Sequence, residues 1–153
     1  MATTYPAALT DDDRRILRAA LDRLIPPVDD LPGAGGMGIL DDVERMAAEH
    51  ARYQIALVLF LAALASAAPA GFLSLPGDQQ DAVLRGVEAS APIDFANVLE
   101  VTYVAYYSRP EVHARIGWKT GPIQPEGFAL PPFDESILDT VRHLKPLWRQ
   151  VRP

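Results

Sequence analysis

At 153 residues, 49% of them hydrophobic and 22% charged, the chain has the size of one compact domain with a single core. A formal net charge of -6, with no basic stripe, excludes a nucleic-acid binder, because phosphate recognition is driven by clustered Lys and Arg. The absence of cysteine excludes disulfides, thiolate metal sites, iron-sulfur clusters and covalently attached haem, so any electron transfer belongs to a partner.

The first ten residues lack a basic stretch followed by a long apolar run, so they do not read as a secretory signal. Arg14-Arg15 is a twin arginine by letter only: Asp11 to Asp13 precede it and an amphipathic pattern follows, where an export signal needs an apolar segment. The expected location is the cytoplasm, or the periplasm if the chain is exported together with a partner.

Thr10 is a suitable N-cap, and Asp11, Asp12 and Asp13 occupy the first turn, where the helix dipole favours negative charge. Leu17, Leu21 and Leu24, with Ile16 and Ala20, recur at helical spacing, which predicts a first helix from Asp11 to Leu24. Pro26-Pro27 stops it, and Pro26 to Gly38 reads as a loop. A second helix is expected from Ile39 through Val43, Met46, Ala47 and His50. From Tyr53 to Gly77 there is no charged residue. Its strongly apolar part, Ile55 to Ala68, is about 14 residues, short of the ~20 that span a bilayer, and Pro69 and Gly71 end it. It reads as the fully surrounded central helix of a bundle, or as one partly buried by another subunit.

Asp78 is expected to cap a short helix through Leu84 and Val87. A longer one follows Pro92, with Phe95, Val98, Leu99, Thr102 and Tyr106 on one face, until Ser108-Arg109-Pro110 breaks it. A short helical piece around Glu111 to Ile116 leads into the segment 117–133, which holds Pro122, Pro125, Pro131 and Pro132 and will not pack as a helix. A last helix is predicted from Asp134 to Leu144, with Ile137, Leu138, Val141 and Leu144 on one side and Arg142, His143 and Lys145 near its end. No stretch alternates with period two. The expected fold is therefore all-α, a compact bundle of about five or six helices with a proline-rich irregular C-terminal segment. Residues 1–153 form a single helical domain in this reading, with 117–133 extended and packed on itself or on a partner.

Gly33-Ala34-Gly35-Gly36-Met37-Gly38 matches G-x-G-x-x-G, but prolines rather than a strand precede it and no acid lies near Val58, where a ribose-binding residue would fall. A flexible loop between helices is the simpler reading. The acidic groups 11–13, 29–30 and 41–44 lack EF-hand spacing, and His50, His113 and His143 lack the i, i+4 spacing of a helical zinc site. No serine sits in a G-x-S-x-G setting. No catalytic, cofactor-binding or metal-ligating residue is expected in this chain.

What remains is aromatic. Tyr103, Tyr106, Tyr107, Trp118, Phe128 and Phe133 lie on or beside irregular, proline-stiffened backbone, which suits a protein interface because aromatics bury much area at little entropic cost. The competing expectation is that they fold back onto their own helices. A different class, a free-standing helical ligand-binding domain, would use a pocket lined by Tyr53, Phe60 and Tyr103.

Three stretches resemble the gluconate 2-dehydrogenase subunit 3 family. Leu21-Asp22-Arg23-Leu24-Ile25-Pro26, Asp29-Asp30, Pro32-Gly33-Ala34 and Gly38-Ile39 are similar to its opening; the Phe95 to Tyr107 helix ending in Tyr106-Tyr107-Ser108, then Pro110-Glu111-Val112, is the second stretch. Ile116-Gly117-Trp118 leading to Gln124-Pro125-Glu126-Gly127-Phe128 is similar to its closing segment. The resemblance implies a small, non-catalytic subunit. Its partner would be a large FAD-dependent dehydrogenase of the glucose-methanol-choline type that oxidises sugars or glycosides, with FAD in the partner and a chaperone-like role here. Two departures stand out. The opening residues do not read as the leader that such subunits often carry for their partner's export, and Gly35-Gly36 replaces bulkier, often acidic residues, which implies a more mobile loop.

Overall fold

The computed structural model describes residues 9–119, 121, 127–130 and 132–145. The chain divides into two units, 1–119 and 120–153. Among the described residues the regular structure is helical, apart from one isolated β-bridge between Val28 and Leu31.

Among the described residues the first unit holds six α-helices. Helix α1 (Asp11–Leu24) opens on a capping box: the Asp13 amide donates to the Thr10 hydroxyl oxygen at 3.1 Å, and the Thr10 amide donates to the Asp13 carboxylate at 3.0 Å. It buries Leu17, Ala20 and Leu21, the face read from the spacing. Helix α2 (Leu40–Glu49) ends at His50, whose extended backbone separates it from α3 (Ala51–Ala67). The sequence reading carries α2 through His50 and does not anticipate a break at a single residue.

Helix α3 is the central element, packed most extensively against α5 and also against α2, α4 and α1. Tyr53, Ala56, Leu57, Phe60 and Leu64 point into the core. It is not fully surrounded: Leu59, Ala62, Ala65 and Ser66 form an outward strip. No described helix is long and apolar enough to cross a membrane.

Gly71, at φ 97, turns the chain into a short 3-10 turn, Phe72–Ser74, that buries Phe72. Helix α4 (Gly77–Ser90) is capped by the backbone of Pro76, and Asp78 lies inside its first turn instead of capping it. Helix α5 (Pro92–Tyr107) begins on proline, whose missing N–H costs nothing at that position. It buries Phe95, Val98, Val101, Thr102, Ala105 and Tyr106, and the Thr102 hydroxyl donates to the Val98 carbonyl at 2.6 Å, so its burial leaves no orphan group. Helix α6 (Pro110–Ile116) follows Arg109 and buries Val112.

In the second unit the described segment forms a 3-10 turn, Glu135–Thr140, where the sequence pattern predicts an α-helix to Leu144. None of its residues is buried. A helix of this length is marginal in water unless one face is covered, which accounts for the difference. Gln124-Pro125-Glu126 of the closing motif lies outside the described residues.

Candidate functional site

The glycine-rich loop between α1 and α2 is held at several points. The Gly36 amide donates to the Asp22 carboxylate on α1 at 3.0 Å, and the Ala34 amide to the Ile25 carbonyl at 2.9 Å. A Cβ at Gly35 would stand 2.0 Å from the Arg18 carbonyl oxygen, and one at Gly33 2.5 Å from the Asp22 carboxylate. These glycines serve close approach of the loop to α1, and that contact replaces the mobility expected of them. The same geometry removes a dinucleotide turn, since the loop amide already faces an aspartate and an incoming pyrophosphate would meet its charge.

From the other side, the Tyr106 hydroxyl donates to the Pro32 carbonyl at 3.1 Å, and Arg109 donates to the Gly38 carbonyl at 3.0 Å while pairing with Asp42 at 2.8 Å. Arg115 on α6 reaches Asp30 at 2.9 Å and also bonds Asp29, whose φ of 53 places it in the left-handed region. Stretches separated by some seventy residues are thereby clamped together. The sequence assigns no clamping role to Asp22, Arg109 or Arg115, since a lone charged residue carries no spacing signal.

The clamp carries an aromatic edge. Tyr103 and Tyr107 lie one turn apart on the outer side of α5, 42% and 48% exposed, with ring centroids 5.9 Å apart. The backbone carbonyl of Tyr107 is 2.6 Å from His113 Nε2. Helix α6 ends in a Schellman arrangement: Gly117 is left-handed at φ 69, and the Trp118 amide donates to the His113 carbonyl at 2.9 Å. That turn sets the Trp118 ring 6.4 Å from the His113 ring and leaves it 65% exposed. Tyr106 does not join this edge. It is only 4% exposed, its edge meets Tyr107 at 5.4 Å, and burial pushes its phenol pKa up, keeping it a donor. In the second unit Phe128 and Phe133 are exposed.

Tyr53 and Phe60 are core residues, with Phe60 packed 6.0 Å from Phe95. The cleft that reaches Tyr103 is lined instead by Arg23, Asp81, Arg85, Glu88, Phe95 and Leu99, so the three aromatics proposed for a ligand pocket do not converge. Across that cleft Arg23 makes a two-pronged pair with Asp81, at 2.6 and 2.7 Å, joining α1 to α4. The hydrogen bond from Arg23 holds the Asp81 carboxyl below its ordinary pKa, and the same bond raises Arg23. Arg52 stacks over Tyr53 at 4.4 Å and pairs with Glu100 at 2.9 Å. The hydroxyls of Ser74, Ser90 and Ser108 each donate to a nearby backbone carbonyl. No group of three potential metal ligands occurs among the described residues.

The sequence matches the family model described as Gluconate 2-dehydrogenase subunit 3 over residues 11–122. No curated protein and no solved structure matches it.

Proposed function

We propose that this chain, which belongs to the gluconate 2-dehydrogenase subunit 3 family, is a non-catalytic small subunit that binds and stabilises a large FAD-dependent dehydrogenase of the glucose-methanol-choline type. Family membership supplies the subunit role and a dehydrogenase partner. The partner's class, its FAD and its sugar or glycoside substrates are our extension. We assign the complex to the cytoplasm.

The observation that carries the reading is the edge formed by Tyr103, Tyr107 and Trp118. These rings are 42 to 65% exposed, yet ring contacts, the His113 hydrogen bond and the Gly117 turn hold them in place. Large apolar groups fixed before binding lose little entropy on docking, which is how aromatic anchors at interfaces work. In the first unit the outward strip of α3 adds Leu59 to the exposed apolar groups, and in the second unit Phe128 and Phe133 are exposed in their own right.

Co-expression with a large FAD-dependent dehydrogenase of this type from the same genome, followed by purification through a tag on this chain, tests the proposal. A yellow, FAD-containing protein that co-elutes and reduces a dye when given sugar supports it. A chain that elutes alone as a soluble monomer overturns it.

A further inference from the structure

The segment from Asp134 to Lys145 carries a full set of α-helix signals and is not an α-helix. The Asp134 carboxylate accepts a hydrogen bond from the Ser136 amide at 3.0 Å, as an N-cap does, and Glu135 follows in the first turn. Ile137, Leu138, Val141 and Leu144 stand at helical spacing, and Arg142, His143 and Lys145 sit where cations favour a helix C-terminus. Yet the chain makes only a 3-10 turn over Glu135–Thr140, and none of the four apolar side chains is buried. A helix this short is marginal in water while its apolar face is uncovered.

Resting on the function proposed above, we infer that residues 134–145 fold into an amphipathic α-helix when they seat in an apolar groove of the large dehydrogenase subunit. Ile137, Leu138, Val141 and Leu144 fill the groove, and Phe128, Leu130 and Phe133 extend the contact upstream. The size is appropriate. Seven exposed apolar side chains at roughly 100 Å² each offer about 700 Å², close to the ~800 Å² that each partner contributes to a stable complex. Belonging to a family of dehydrogenase subunits selects that partner over a membrane or a second copy. Docking that folds a segment also makes the contact sensitive to helix propensity at positions that do not touch the partner, such as Asp139, whose carboxylate pairs with Arg142 at 3.0 Å.

That sensitivity is the test. Asp139 lies opposite the apolar face of such a helix, and Asp139→Ala and Asp139→Gly remove the same carboxylate. They differ by ~1 kcal/mol in helix propensity, so the full-length Gly variant is expected to bind the large subunit about fivefold more weakly than the Ala variant. The Val141 and Arg142 amides donate to the Leu138 carbonyl on an exposed turn, so hydrogen exchange should show amides 138–144 weakly protected in the chain alone and slowed at least tenfold further in the complex. Leu138→Asp with Val141→Asp should abolish co-elution without changing the unfolding temperature of the chain. Equal affinities for the two Asp139 variants, or no added protection in the complex, overturn the inference. So does protection that grows with concentration in the chain alone, which assigns the segment to a second copy. If the unaltered chain fails to bind the large subunit at all, the underlying functional reading falls first. Retained binding with the aspartates in place overturns only the helix.

Discussion

The Tyr106 hydroxyl on α5 donates to the carbonyl oxygen of Pro32, in the loop that follows α1, at 3.1 Å. The tyrosine is buried, and the carbonyl belongs to a segment with no strand or helix to satisfy it. One bond therefore does two jobs: it completes a buried phenol and fixes the height of the glycine loop above the core.

Tyr106→Phe keeps the ring and removes that hydrogen bond. The expected loss is about 1 kcal/mol, seen in urea unfolding as a lower midpoint with an unchanged slope. An unchanged midpoint would show that water replaces the phenol without cost.

Glycine substitutions should separate close approach from helix propensity. Gly35→Ala drives a methyl into backbone, the Arg18 carbonyl, and is expected to cost at least ~2 kcal/mol. Gly86→Ala, in the exposed middle of α4 where a Cβ meets nothing within 4 Å, should instead gain ~0.5 to 1 kcal/mol. Thermal unfolding of both variants decides, and a stable Gly35→Ala protein would refute the tight loop packing.

The Arg23–Asp81 pair gives a pH dependence of definite sign. Arg23 lowers the Asp81 pKa, so the pair's contribution is fully present above the ordinary carboxylate range and is lost as pH falls through the lowered value. Solvent screening keeps the effect modest. Asp81→Asn should unfold at a lower temperature than the unaltered chain at neutral pH, with the two midpoints converging in acid. A gap that is constant with pH would point to a packing effect rather than to charge.

At the aromatic edge, Tyr107→Ala and Trp118→Ala should each weaken partner binding by about 2 kcal/mol, roughly 30-fold in Kd. Their own unfolding should shift by no more than ~1 kcal/mol, since neither ring is buried. Calorimetric titration against the isolated large subunit measures the first effect, and loss of stability without loss of binding would make the edge structural.

Much of the helical framework is legible from local signals. Thr10 with its three aspartates marks the start of α1, and Pro92 and Pro110 each open a helix where proline's missing donor is tolerated. Signals of this kind depend on neighbours in the chain. What escapes is whatever depends on partners far away. Gly33 and Gly35 look like freedom until Arg18 and Asp22 appear beside them, and Tyr106 looks like an interface residue until Pro32 supplies its acceptor. The segment from Asp134 fails for a related reason: its pattern states which face wants covering, while the cover is not part of its own local sequence.

His50 is the single residue between α2 and α3, ending one and beginning the other. Its amide closes onto the Met46 carbonyl, and its own carbonyl accepts from the Tyr53 amide. A joint of one residue leaves no loop that can open by itself, so α2 cannot fray away from the central helix as a separate piece. Breathing motions that reach Val43 must also loosen α3, and the two helices should exchange their amide protons with one shared free energy of opening.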